Sequence, residues 1–180
     1  MRSVADFYQD CISAVGQQPP LDVQLPDAVG CVLAEDVEAP FNLPVADLAA
    51  CDGYAVAAAD LEGARPDAPV VLPVTEEIRA GDIHPAALIR GRAIRIASGA
   101  PMPQGADAVL ALEFSDHGIS KVSAKTQPAV GENIRRKAED VEEGTVVLRA
   151  GTRVGARQVA LLAGVGRSRV LVHPRPRVVI

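Results

Sequence analysis

Large rings are nearly missing from this chain. Tryptophan is absent, and two Tyr and three Phe make aromatics 3% of 180 residues. Hydrophobic residues still reach 48%, so a core is available, but it must be assembled from Val, Leu, Ile and Ala. A chain of this length buries roughly 70% of its unfolded surface on folding. Cysteine is also scarce. Cys11, Cys31 and Cys51 are odd in number and have no CxxC spacing, which excludes a disulfide framework and a zinc knuckle and fits a reducing compartment. Cys11 and Cys31 read as small hydrophobic core residues. Basic excess is lacking too: the net charge is −5 and the pI is about 5.2. The one basic cluster, Arg135–Arg136–Lys137, is too short for a nucleic-acid footprint. No apolar run approaches the ~20 residues of a membrane span, and the acidic start "MRSVADFYQD" is not a signal peptide. The expectation is a cytoplasmic protein that binds neither nucleic acid nor membrane. P-loop, GxGxxG and GxSxG patterns are missing, and His84, His117 and His173 share no metal-ligand spacing, so they read as surface or capping residues.

What is present begins with a helix. Val4, Phe7, Tyr8, Cys11, Ile12 and Val15 recur at helical spacing. Ser3 caps the start with Asp6 three residues on, and Gly16 and Pro19–Pro20 stop it. Its apolar face requires a surface to lie on. After residue 20 the texture changes to short apolar runs ("CVLAEDV", "VVLPV", "AIRIA", "AVLALEF", "GISKVS") broken by Pro, Gly and Asp, which read as strands. Pro within "VVLPV" makes that run an edge or bulged strand. A mostly antiparallel β-domain or barrel is expected over about 50–130. A second helix is expected at 156–166, with Val159, Leu162 and Ala163 on one face and Gly164 or Gly166 at its end. The fold class is therefore α+β: a mixed small domain of helices and short strands with an inserted β-rich, barrel-like domain. A last apolar strand begins at Arg177 and reads as the opening of a further domain.

Three stretches could carry chemistry. In "DLAACDGYAV" Asp52–Gly53 is a turn signal, yet the approach "NLPVADLAA" is built of small residues with Pro44 in it, which lets backbone come close to a ligand. In "IRIASGAPMPQGADAV" the default is a hairpin stiffened by Pro101 and Pro103; the alternative is that the Ser98 hydroxyl and the amides around Gly99 donate to an oxyanion. In "GENIRRKAEDVEEG" the default is a solvated face with weak internal ion pairs; the alternative is that Arg135 and Arg136 hold an anion while Asp140 holds a metal or orients water.

Together and in this order, "LAEDVEAPFNLPVADLAACDGYAV", "IRIASGAPMPQGADAVLALE" and "NIRRKAEDVEEGTVVLRAGTRVGARQVALLAGVG" resemble successive signatures of the molybdopterin molybdenumtransferase family, and "RPRVVI" resembles the start of that family's third domain. The resemblance implies a discontinuous first domain (1–44 plus 135–174), an inserted β-rich second domain (45–134) and the start of a third (175–180). It implies insertion of molybdate into adenylylated molybdopterin with release of AMP, magnesium as cofactor, and a molybdopterin adenylyltransferase as upstream supplier. It implies a homodimer whose composite site is completed by the third domain, in cis or from the partner subunit; this chain alone is then expected to be inactive. Asp52, Ser98 and Asp140 fall on the family's functional positions. Gly53, Gly99, Arg135 and Arg136 fall beside them as cofactor-binding candidates, and Asp52 and Asp140 as metal candidates. The sequence departs from the family pattern at Cys51 for Met, Ser98 for Thr, Ala138 for Gly, and Gly155 for a Ser or Thr cap. A non-catalytic scaffold retaining the same fold is the competing reading.

Overall fold

The strands are short because Pro, Gly and Asp interrupt them, and their pairing gathers them into small sheets. The computed structural model describes residues 2–83 and 85–176, so the strand expected from Arg177 and the side chain of His84 lie outside the described residues. Contacts divide the chain into one unit of 1–41 with 143–180 and a second of 42–142.

In the first unit, α1 (Val4–Ser13) starts on the expected capping box: Ser3 Oγ accepts from the Asp6 amide, and Asp6 accepts from the Ser3 amide. It ends at Ala14, before Gly16 is reached. No residue of α1 is buried, and Val4, Phe7, Tyr8 and Ile12 stand open. The apolar face is therefore uncovered within the described chain, and Cys11 is exposed rather than core. Three strands, β1 (Leu21–Gln24), β2 (Val32–Leu33) and β12 (Arg169–His173), form an antiparallel sheet in the order β1-β12-β2. A ribbon pairs β3 (Val37–Glu38) with β11 (Val146–Leu148). Against these packs α2 (Ala156–Gly164), through buried Leu162 and half-buried Val159; Ala163, expected on the same face, is exposed, and Val165 is buried instead. Gly166, at φ +75°, ends α2: its amide donates to Ala163 O and that of Arg167 to Leu162 O. This is the paired closure of a Schellman motif. Gly155 caps the start without a side chain, and Gln158 accepts its amide at 3.1 Å. His173 ties the approach to β1 in place, with Nδ1 2.8 Å from Gln18 O and Nε2 2.8 Å from the Gln17 side-chain Nε2.

The second unit is organised around a five-stranded sheet of β5 (Gly53–Val56), β6 (Val70–Ile78), β7 (Ala93–Ile96), β8 (Ala108–Ala111) and β9 (Lys121–Ala124), in the order β8-β5-β7-β6-β9. All pairs are antiparallel except β6 with β7. The whole of β5 is buried: Tyr54 and Val56 join one core cluster, while Ala55, with Ala57 just beyond the strand, joins another. A strand covered on both faces reads as a continuous apolar run. Pro73 is tolerated because β9 pairs with 70–73 and β7 with 74–78, with a register shift after Val74; the strand is bulged and not at the sheet edge. A two-stranded ribbon of β4 (Leu48–Ala49) and β10 (Ile134–Arg135) completes the unit. The core is aliphatic as composition requires, with Tyr54 its one fully buried ring among the described residues.

Asp60 pins the loop before β7. Its carboxylate accepts from Arg90 Nε and Nη2 at 2.9 and 2.6 Å and from the Gly91 amide at 2.7 Å. The Arg90 hydrogen bond, which outweighs the opposing effect of burial, holds the carboxyl below its ordinary range, near 3.9 when unperturbed. Because the folded value is the lower one, this contribution is present above about pH 4 and disappears as pH falls through the folded value. Asp60→Asn is expected to lose about 1–2 kcal/mol at pH 7, measured by urea unfolding. The gap to the unsubstituted chain should close in acid; a gap that stays constant to pH 2 would refute the assignment.

Candidate functional site

Antiparallel pairing places Asp52 beside Ser98. Gly53 on β5 is opposite Ile96 on β7, so one step further along each strand brings the residues before β5 against those after β7. There the Ser98 amide donates to Asp52 Oδ1 at 2.7 Å, and the Ser98 hydroxyl makes only a long contact of 3.4 Å to Ala50 O. Both side chains face solvent. Gly53 is not the turn glycine that Asp-Gly suggests: it lies within β5, and a Cβ on it would sit 2.2 Å from Leu110 O. The requirement is close approach of β8.

The amides around Gly99 are not available donors. Gly99 N–H is given to Ala49 O at 2.9 Å and Ala100 N–H to Ala97 O at 3.0 Å. An oxyanion arriving here would therefore meet the Ser98 hydroxyl and not a nest of free amides. Beside Gly99 is an apolar hollow of about 300 Å³ lined by Val45, Leu48, Ile83 and Pro101.

The third stretch lies on the other flank of β4, which pairs Leu48 with Arg135 on one side and bridges to Pro101 on the other. Asp140 is ion-paired with Arg135. Arg136 Nη1 donates to Asp47 Oδ2 at 2.7 Å, and the Lys137 amide to Asp47 Oδ1 at 2.8 Å. The Lys137 amide, first, and the Arg136 guanidinium hold the Asp47 carboxyl below its usual range against a partial burial that raises it. Both arginines thus have carboxylate partners within the chain, the ion-paired face that is the default for such a run. Ala138 has φ +65°, a left-handed backbone in which Gly is at ease and Ala is not. Cys51 is half-buried; burial first, then the charges of Glu113, Asp52 and Glu132, push its thiol up.

Asp47 escaped the sequence reading. Its signal was an Asp in a small-residue loop, and nothing local says that its partners are 89 and 90 residues away.

The family profile of the MoeA N-terminal region (domain I and II) matches residues 2–166. This chain belongs to the MoeA N-terminal family. Molybdopterin molybdenumtransferase 2 of Mycobacterium tuberculosis is 42% identical over 180 residues, covering 100% of this chain and 44% of that protein. The Bacillus subtilis molybdopterin molybdenumtransferase is 39% identical over 158 residues, covering 86% of this chain and 37% of its own. A crystal structure of the molybdopterin biosynthesis MoeA protein from Pyrococcus horikoshii OT3 superposes with TM-score 0.82 at 38% identity, over 89% of this chain and 43% of that one. The chain spans less than half the length of these MoeA relatives.

In this MoeA region no helix among the described residues is long and apolar enough to cross a membrane. No three His, Cys, Asp or Glu side chains among them come together as a metal-holding group.

Proposed function

We propose that this chain is the N-terminal part of a molybdenum-inserting transferase, in which Asp52 and Ser98 form an acidic, hydroxyl-bearing edge of a composite site. The reaction is insertion of molybdate into adenylylated molybdopterin with release of AMP. The match to domain I and II and the division of the chain into 1–41 with 143–180 and 42–142 support a first domain interrupted by an inserted second, and on this reading the pterin pocket belongs to the remainder of the protein. The observation that carries this reading is the Ser98 amide–Asp52 bond of 2.7 Å. It fixes an exposed carboxylate beside an exposed hydroxyl.

Asp52 suits magnesium better than Asp140 does. Its Oδ2 accepts no hydrogen bond among the described residues, whereas the Asp140 carboxylate is ion-paired with Arg135. Magnesium is commonly held by one or two carboxylates together with substrate phosphate oxygens, so a single open carboxylate is a sufficient protein contribution. Magnesium bound there would offset charge on the departing phosphate. Asp52 holds and orients, and the Ser98 hydroxyl donates to an oxyanion oxygen. A homodimer and a cytoplasmic setting belong to the same reading, and the uncovered face of α1 favours a partner for the first unit.

Ser98→Ala in the full-length protein tests this. The Asp52 contact comes from a backbone amide and survives the substitution, so only the hydroxyl is removed. AMP release and molybdenum incorporation are expected to fall about tenfold, the weight of one hydrogen bond of about 1.4 kcal/mol. Unchanged turnover would remove Ser98 from the site; absence of turnover in the unsubstituted full-length protein would favour a scaffold.

A further inference from the structure

Asp47 joins segments that are far apart in sequence. Its carboxylate holds Arg136 and the Lys137 amide, and its carbonyl accepts the Met102 amide at 2.9 Å. It therefore links the 42–48 approach, the segment following Ser98–Gly99 and the 135–140 loop. Within itself the loop closes a turn, with Glu139 N–H given to Arg136 O at 3.1 Å and Arg136 N–H to Glu139 Oε2 at 2.8 Å, and its backbone is tied to other segments on either side of 136–137. Ala50 N–H is given to Asn133 O on one side, and the Ala138, Asp140 and Val141 amides are given to Pro44 O, Leu43 O and Leu43 O on the other. Between these anchors the hydrogen bonds from residues 136–137 to another segment, among the described residues, run to Asp47. Directly after them Ala138 is held at φ +65°, a conformation an alanine keeps only where its surroundings impose it.

We propose, on the reading of the site given above, that Asp47 is a positioning residue: it sets the 135–140 loop against one flank of β4 while Asp52 and Ser98 are presented beyond the other. It touches no reacting atom. Its carboxylate fixes where Arg136 points and balances its charge, so that an anionic substrate meets an arginine held in one place. The loop's own turn bonds shape its crest, and Asp47 ties that crest to the 42–48 approach.

The test uses the full-length protein with Asp47→Asn, Asp47→Glu, Arg136→Gln and the Asp47→Asn/Arg136→Gln pair, with Asp52→Asn alongside. Asp47→Asn retains an acceptor for the Lys137 amide and loses the charge. It is expected to lower kcat at least tenfold with KM within twofold, and to speed amide exchange at 136–138 without changing exchange in the five-stranded sheet. Asp47→Glu should recover part of kcat. The double variant should be no slower than the slower single one, because both act through one tie. Wild-type kcat in Asp47→Asn with Asp52→Asn inactive overturns the proposal and leaves the site reading standing. Multiplicative losses in the double variant also overturn it, since Arg136 would then act independently of Asp47. Full activity in Asp52→Asn overturns the site reading, and the positioning role with it. Should Asp47→Asn fail to fold, Arg136→Gln alone decides: it must speed exchange at 136–138 and lower kcat at least tenfold, and wild-type kcat there overturns the proposal.

Discussion

Gly53→Ala is expected to destabilise this chain by about 3 kcal/mol or more, a large part of the 5–15 kcal/mol that typically separates folded from unfolded. The added Cβ would lie 2.2 Å from Leu110 O and 3.1 Å from Ala111 Cα. Both are backbone atoms of β8, so no rotamer change relieves the clash. Moving β8 breaks the register that pairs Gly53 with Ala111 and Tyr54 with Leu110, and it opens the core on both faces of β5. Urea unfolding of the 180-residue chain measures this, with Gly16→Ala as the comparison, since nothing lies within 4 Å of a Cβ there. A Gly53→Ala unfolding free energy within about 1 kcal/mol of the parent would show that β8 yields and the close approach is not essential.

Asp52→Asn is expected to abolish most turnover in the full-length protein, on the order of 10²–10³-fold, while the fold is retained. Asparagine keeps a carbonyl oxygen for the Ser98 amide, so the 2.7 Å contact has an acceptor in both proteins. What disappears is the negative charge. If Asp52 works by holding a cation or orienting one against an oxyanion, charge is the property that matters, and thermal stability should move by less than about 1 kcal/mol. Asp52→Ala removes the acceptor too and should lose stability as well as turnover. AMP release and unfolding, measured on the same preparations, separate these effects. Turnover within threefold of the parent for Asp52→Asn would dismiss the carboxylate from the reaction.

Elements governed by neighbours in sequence were legible, and those governed by distant partners were not. Ser3 and Asp6 mark the start of α1 because a cap is a local hydrogen-bond exchange, and α2 is legible from its apolar spacing and its closing glycine. The surroundings of α1 were not legible: periodicity shows that a face is apolar, not what covers it, and here the described chain covers none of it. Asp52–Gly53 shows the limit most clearly. Locally the pair spells a turn, but the glycine serves a strand 57 residues ahead, Leu110. The amides after Ser98 looked like donors in waiting, yet the approach loop supplies the acceptor at Ala49. The charges at 135–140 were legible as a paired face, although Arg136 finds Asp47 from across the unit and not a neighbour.

With no indole in the chain, its ultraviolet emission comes from two phenols, and they sit in different units. Tyr54 is fully enclosed and gives its hydroxyl to Gly118 O at 2.9 Å, whereas Tyr8 stands open on α1. Iodide should dim the second and spare the first. Each half of the molecule therefore carries its own built-in optical reporter, and a seat taken on α1 or a loosening of the β-rich half can be watched without attaching a dye.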